Sequence, residues 1–157
     1  MRKALLTATL LATGPLLATA QGQSYDLKLC NTVETTVIDS AGDTTILAGH
    51  SRGISDSNTP GGPFDRQTYE CRSVLNASKT AVEFTGRCTF VDIDGHKVLG
   101  TFSGTPASWT WKFLSGTGKY EGIEGGGTTK PLKQYPRLSA AVSAACSHAT
   151  GTYTIKK

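Results

Sequence analysis

Apolar and polar residues alternate one for one through TYECRSVL (68–75) and AVEFTGRCTF (81–90), and the turn-like NASKT separates the two runs. Successive side chains of a strand point to opposite faces, so such runs predict strands with one buried face, not helices. Tyr69, Cys71, Ser73 and Leu75 share one face with Val82, Phe84, Gly86, Cys88 and Phe90. Glu70, Arg72 and Val74 share the charged face with Glu83, Thr85, Arg87 and Thr89. YDLKLC, TTVID, DTTILAGHS, KVLGTFSG, SWTWKFL and GTYTIKK have the same character, in a sequence rich in Thr, Gly and Val. About eight strands with Gly and Asx turns between them indicate an all-β closed barrel or a sandwich. Asp94-Gly95, between CTFVDI and HKVLGTF, is the strongest hairpin signal. Only LSAAVSAAC (138–146), with Leu138, Ala141, Val142 and Ala145 at helical spacing, predicts a short helix.

Residues 1–20, MRKALLTATLLATGPLLATA, combine Arg2 and Lys3, an apolar run broken by Gly14 and Pro15, and an Ala-Thr-Ala end. This reads as a secretory signal peptide, followed by one domain over 21–157 that is secreted or periplasmic, with no membrane span. Without Arg2 and Lys3 the formal charge falls from +4 to +2, and no cluster of Lys and Arg interleaves with aromatics. Nucleic acid is therefore not an expected partner. The four cysteines suit two disulfides in an exported chain. Pairing Asn76 with Glu83 across the NASKT turn sets Cys71 opposite Cys88, which leaves Cys30 to join Cys146. Zinc is the competing reading, without C-x-x-C or H-x-x-x-H spacing to support it. The Asn76-Ala-Ser triplet is a glycosylation acceptor only in a source that modifies such sites.

SGTGKYEGIEGGGTT (115–129) suggests a phosphate loop, but Phe113 stands where a Walker A motif needs glycine, and Tyr120 where it needs Ser or Thr after Lys119. Its glycines instead predict a tight turn into a strongly bent strand, with Lys119 in the turn. GHSRG (49–53) matches G-x-S-x-G, yet ISDSNTPGGP follows where a nucleophile elbow needs a helix. His50, His96 and His148 lie about fifty residues apart, with no metal-ligand spacing, and no metal is expected; His96, after the turn, is expected at the surface. Glu70, Arg72, Glu83 and Arg87 form either a carboxylate between guanidiniums or ordinary charge pairing on a solvated face. Trp109, Trp111 and Phe113 share a face, and with Tyr69, Phe84 and Phe90 they either fill a core or line a ligand site.

FDRQTYECRSV, CTFVDIDGHKVLGTFSG, TWKFLSGTGKYEGIEGGGT and the closing GTYTI together resemble exported bacterial proteins related to the allene oxide cyclase and dirigent β-barrels. The resemblance covers roughly residues 49–129 and the last strand. It implies an eight-stranded antiparallel closed barrel with a ligand-sized lumen, no cofactor, and a dimer or trimer, plant members often being trimers that guide cyclisation or coupling of apolar substrates. The family's catalytic residues do not map one by one onto this sequence, so the activity is not carried over. Three functions follow as expectations. One is a binding module holding a small apolar or aromatic molecule among Tyr69, Phe84, Phe90, Trp109 and Trp111. Another is a cofactor-free isomerase, cyclase or lyase with Glu70 as base, Arg72 or Arg87 orienting an anionic group, and His50 in reserve. The third is a cell-envelope scaffold with a filled barrel.

Overall fold

The computed structural model describes residues 22–156, so the signal peptide expected over 1–20 lies outside the described residues. Eight strands are present: β1 (Gln23–Ala41), β2 (Thr44–Ser57), β3 (Gln67–Ala77), β4 (Val82–Val91), β5 (Lys97–Thr105), β6 (Ser108–Gly116), β7 (Ile123–Gln134) and β8 (Val142–Ile155). Each pairs antiparallel with its neighbour in sequence, and β8 pairs back onto β1 to close the barrel. Closure leaves no unpaired edge, which is how an all-β chain satisfies every backbone donor and acceptor. Asn76 opposes Glu83 and Cys71 opposes Cys88, and both expected disulfides are formed. Cys71–Cys88 has the parity of Tyr69 and Phe90 and faces inward. Cys30–Cys146, one residue out of phase with inward Leu29 and Ser147, clasps the β1–β8 seam from outside.

Two expectations need correction. YDLKLC and TTVID are one strand, β1, because Asn31 and Thr32 between them stay in register with β2 and β8. The bent strand expected in the glycine-rich stretch is β7, so the barrel still has eight strands. The helix over LSAAVSAAC does not form, since residues from Val142 onward are β8. Small side chains at alternate positions are what that strand needs on its inner face, and a 3.6-residue pattern of Ala and Val does not distinguish the two.

The barrel has two unlike ends. At one, the loop between β2 and β3 folds Phe64 into the bore. Its ring packs 5.1–5.5 Å from those of Tyr25, Phe113, Tyr120 and Tyr153 and is 3 % exposed. Phe64 takes φ of 63° and Arg66 of 51°, left-handed values that side chains with a Cβ rarely adopt. Asp65, between them, accepts the Ser57 and Gly61 amides at 3.0 Å each and fixes the loop.

The turn expected at Lys119 is a single 3-10 turn, Gly118–Tyr120, and its lysine has a definite task. Lys119 Nζ lies 2.7 Å from Asp92 and 3.0 Å from Asp94, tying this turn to the β4–β5 hairpin. Asp92 is almost fully buried and also accepts the Asp94 and His96 amides. Its carboxyl faces a desolvation penalty from burial, outweighed by Lys119 and these amides, so it titrates below the usual range. Asp92, Asp94 and His96 present donor atoms within 4.8 Å of one another, but the lysine already supplies the positive charge there. His96 is half-buried, packed so closely against Gly118 (φ 58°) that a Cβ there would strike its ring.

Candidate functional site: the lumenal cavity

At the other end, bounded by the β1–β2, β3–β4 and β5–β6 turns and the 135–141 segment, the bore stays open. A cavity of about 360 Å³ runs from Phe64 and Gln67 up to Pro106, Gln134 and Arg137. The inward positions of β8 explain it: Ser143, Ala145, Ser147 and Ala149 leave most of that wall's thickness empty. Facing them, β3 to β6 carry Tyr69, Phe84, Phe90, Phe102, Trp109 and Trp111. The rings form a connected wall, with Tyr69–Phe90 at 4.9 Å, Phe90–Trp111 at 5.4 Å and Phe84–Trp109 at 5.7 Å. Glycine makes room for them. A Cβ on Gly100 would sit 2.3 Å from the Trp111 ring, and one on Gly86 2.5 Å from that of Phe102. Small residues on one wall and large rings on the other turn a bore that eight strands can fill into one that holds a molecule.

The five residues expected to line a ligand site, Tyr69, Phe84, Phe90, Trp109 and Trp111, all border this cavity. The residues considered for catalysis do not. Glu70, Arg72, Arg87 and His50 have the opposite strand parity and stand on the outer face. There His50 Nε2 lies 2.5 Å from Glu70 Oε1, and Arg72 donates to the same oxygen at 2.8 Å. The His50 hydrogen bond, then the Arg72 and Arg52 charges, hold Glu70 below the ordinary carboxylate range, which weakens it as a base. Arg72 and Arg87 are direct cross-strand neighbours in the open, beside Glu70, so the cluster is a solvated charge network on the barrel wall.

The lining also carries uncharged polar side chains, among them Asn31, Ser51, Ser73 and Thr129. Gln67, 1 % exposed, donates through Nε2 to the Tyr120 hydroxyl at 3.1 Å. Burial pushes the Tyr25 phenol up to about 12 and raises Tyr69 further, so both stay neutral at any physiological pH. Arg137, at the mouth, is the one charged side chain among the residues lining the cavity, and it donates to the Ala140 carbonyl at 3.0 Å.

Sequence reasoning missed Phe102, Phe64, Gln67 and Arg137. Phe102 was within reach, since it alternates with Val98 and Gly100 in KVLGTFSG. Phe64 and Arg137 sit in irregular segments where periodicity carries no information. The aromatic wall was legible because each ring sits in a run of strict alternation.

No family model matches the chain, and no curated protein matches it. Among solved structures, a pterocarpan synthase dirigent protein is similar over 93 % of this chain and 98 % of its own, with 12 % identity and a TM-score of 0.48. The architecture described above rests on the strand pairing itself: an eight-stranded antiparallel barrel, closed, with two disulfides and an aromatic-lined lumen open at one end.

Proposed function

We propose that this protein is an exported binding module that holds a small apolar or aromatic molecule in the barrel lumen. The observation that carries this reading is the cavity of about 360 Å³ with its wall of aromatic rings. A filled barrel serving only as a scaffold would not need the small inward residues of β8. A cofactor-free isomerase, cyclase or lyase of the kind considered would need a base in contact with its substrate. No carboxylate or histidine is among the residues lining the cavity, and its tyrosines are held neutral. Two disulfides favour a secreted or periplasmic setting, where oxidised cystines persist.

A two-ring aromatic that buries about 250 Å² would gain roughly 6 kcal/mol from water exclusion, which corresponds to a dissociation constant of tens of micromolar before association costs weaken it. The neutral fluorophore N-phenyl-1-naphthylamine tests this directly. It should bind with a dissociation constant on the order of 100 micromolar, quench Trp109 and Trp111, and be excluded by Ala145→Phe, which fills the space opposite the rings. Binding that survives Ala145→Phe in a folded variant would place the probe elsewhere and sink the reading.

A further inference from the structure

The lip of the cavity has a composition that the lumen does not explain. KPLKQYPRL (130–138) runs from the end of β7 into the segment before β8, and every residue in it is exposed. It carries Lys130, Lys133 and Arg137, and no Asp or Glu follows Glu124 anywhere in the sequence. Between the cations stand Leu132, Tyr135 and Leu138, exposed by 59 %, 43 % and 73 %. Leu132 is turned out because β7 bulges between Pro131 and Lys133. Val37 and Ile38, 59 % exposed each, stand at a second bulge near the same end of β1, whose Thr35 amide donates to Ala141. Five of the nine large hydrophobics exposed among the described residues thus gather at the mouth.

Nearby acids do not neutralise this lip. Asp43 is paired with Lys79 at 2.6 Å, Asp39 accepts the Ser40 amide, and Glu34 and Glu83 stand on the walls of β1 and β4, out of phase with the inward residues. Among the described residues no carboxylate lies within ion-pair distance of Lys130, Lys133 or Arg137.

We infer that the open end of the barrel docks on an anionic lipid surface, with 130–138 as the principal contact. Cations interleaved with leucines and a tyrosine suit the bilayer interface, where charges meet headgroups, apolar side chains reach the acyl boundary and tyrosine sits between. A folded acidic protein would need a surface matched in shape to side chains that project from a bulge and a loop. A bilayer yields around them. Docking holds the mouth against the membrane, so that an apolar molecule passes between bilayer and lumen without crossing water; this last clause alone rests on the binding function proposed above.

The test uses the full processed chain, without lumenal ligand, in flotation with phosphatidylcholine vesicles and with vesicles in which about three lipids in ten are phosphatidylglycerol. Each cation near the surface is worth about fivefold in partitioning, so Lys130→Gln/Lys133→Gln, neither of which lines the cavity, should weaken binding to the anionic vesicles about 25-fold. Leu132→Ser/Leu138→Ser should weaken it by at least about tenfold at unchanged charge, whereas Ile93→Ser at the plugged end should change nothing. About 0.5 M salt should release the wild-type protein. Absence of binding to anionic vesicles at low salt would overturn the inference, as would equal binding to neutral vesicles or indifference to both lip variants. N-phenyl-1-naphthylamine binding, measured on the same variants without vesicles, should be retained, so failure of docking and failure of lumenal binding are separately visible.

Discussion

Replacing Phe64 separates two contributions that one residue makes to the plug. The ring is 3 % exposed and touches four other rings, so Phe64→Ala should lose the transfer energy of the side chain and leave a gap in the bore, about 3–5 kcal/mol in total. Phe64→Gly removes the same ring and one more carbon. In an ordinary extended position glycine would be the worse choice by about 0.5–1 kcal/mol through its greater freedom in the unfolded chain. At φ of 63° the order should reverse, because alanine keeps a Cβ in the left-handed region, at a cost of roughly 1–2 kcal/mol, while glycine adopts it freely. Phe64→Gly is therefore expected to be the more stable variant by about 0.5–1 kcal/mol. Equilibrium urea unfolding with both disulfides intact, followed by tryptophan fluorescence, measures the difference provided the two m-values agree. Equal stabilities, or an alanine variant that is the more stable, would refute the account of the plug as a ring held by a strained backbone.

The two disulfides should contribute unequally. Cys30–Cys146 spans 116 residues and Cys71–Cys88 spans 17, so loop entropy predicts losses of about 5 and about 3 kcal/mol for the paired serine variants, read from denaturant midpoints. The plug should also loosen in acid. The Gly61 and Ser57 amides, in that order, depress the Asp65 carboxyl, so its stabilising effect is present above the unfolded value of about 4 and fades as pH falls through the lower folded value. Protection of the amides of residues 58–66, taken relative to intrinsic exchange at each pH, should fall below about pH 4 in the wild type, and Asp65→Asn should remove that pH dependence.

How much of this was legible in the sequence depends on which residues carried the signal. Strands β3 to β6 alternate cleanly, and from them came the Cys71–Cys88 pairing, the inward aromatic set and the outward charged set. The first half of β8 was hidden, because a lumen-facing row of Ser and Ala is neither apolar enough to mark a core face nor β-branched enough to mark a strand, whereas its end, GTYTI, was read as one. That same row creates the cavity, so the choice between a filled and an open barrel lay in the stretch that alternation could not read. Phe64 illustrates a second blind spot. A loop residue enters the bore only because Asp65 and two left-handed residues fold it there, and tertiary contacts alone hold that geometry. Glu70 and its arginines were correctly assigned to one face, but a face acquires its meaning only when the barrel closes and makes one side solvent.

The claim that the lumen is an open ligand site is tested most directly by crystallography with 2-bromonaphthalene, whose bromine marks its own position by anomalous scattering. The account predicts one ordered bromine peak inside the barrel, between the small inward residues of β8 and the rings of Phe90 and Trp111. A barrel whose bore is filled by its own side chains, or bromine peaks found only on the outer wall, would contradict it.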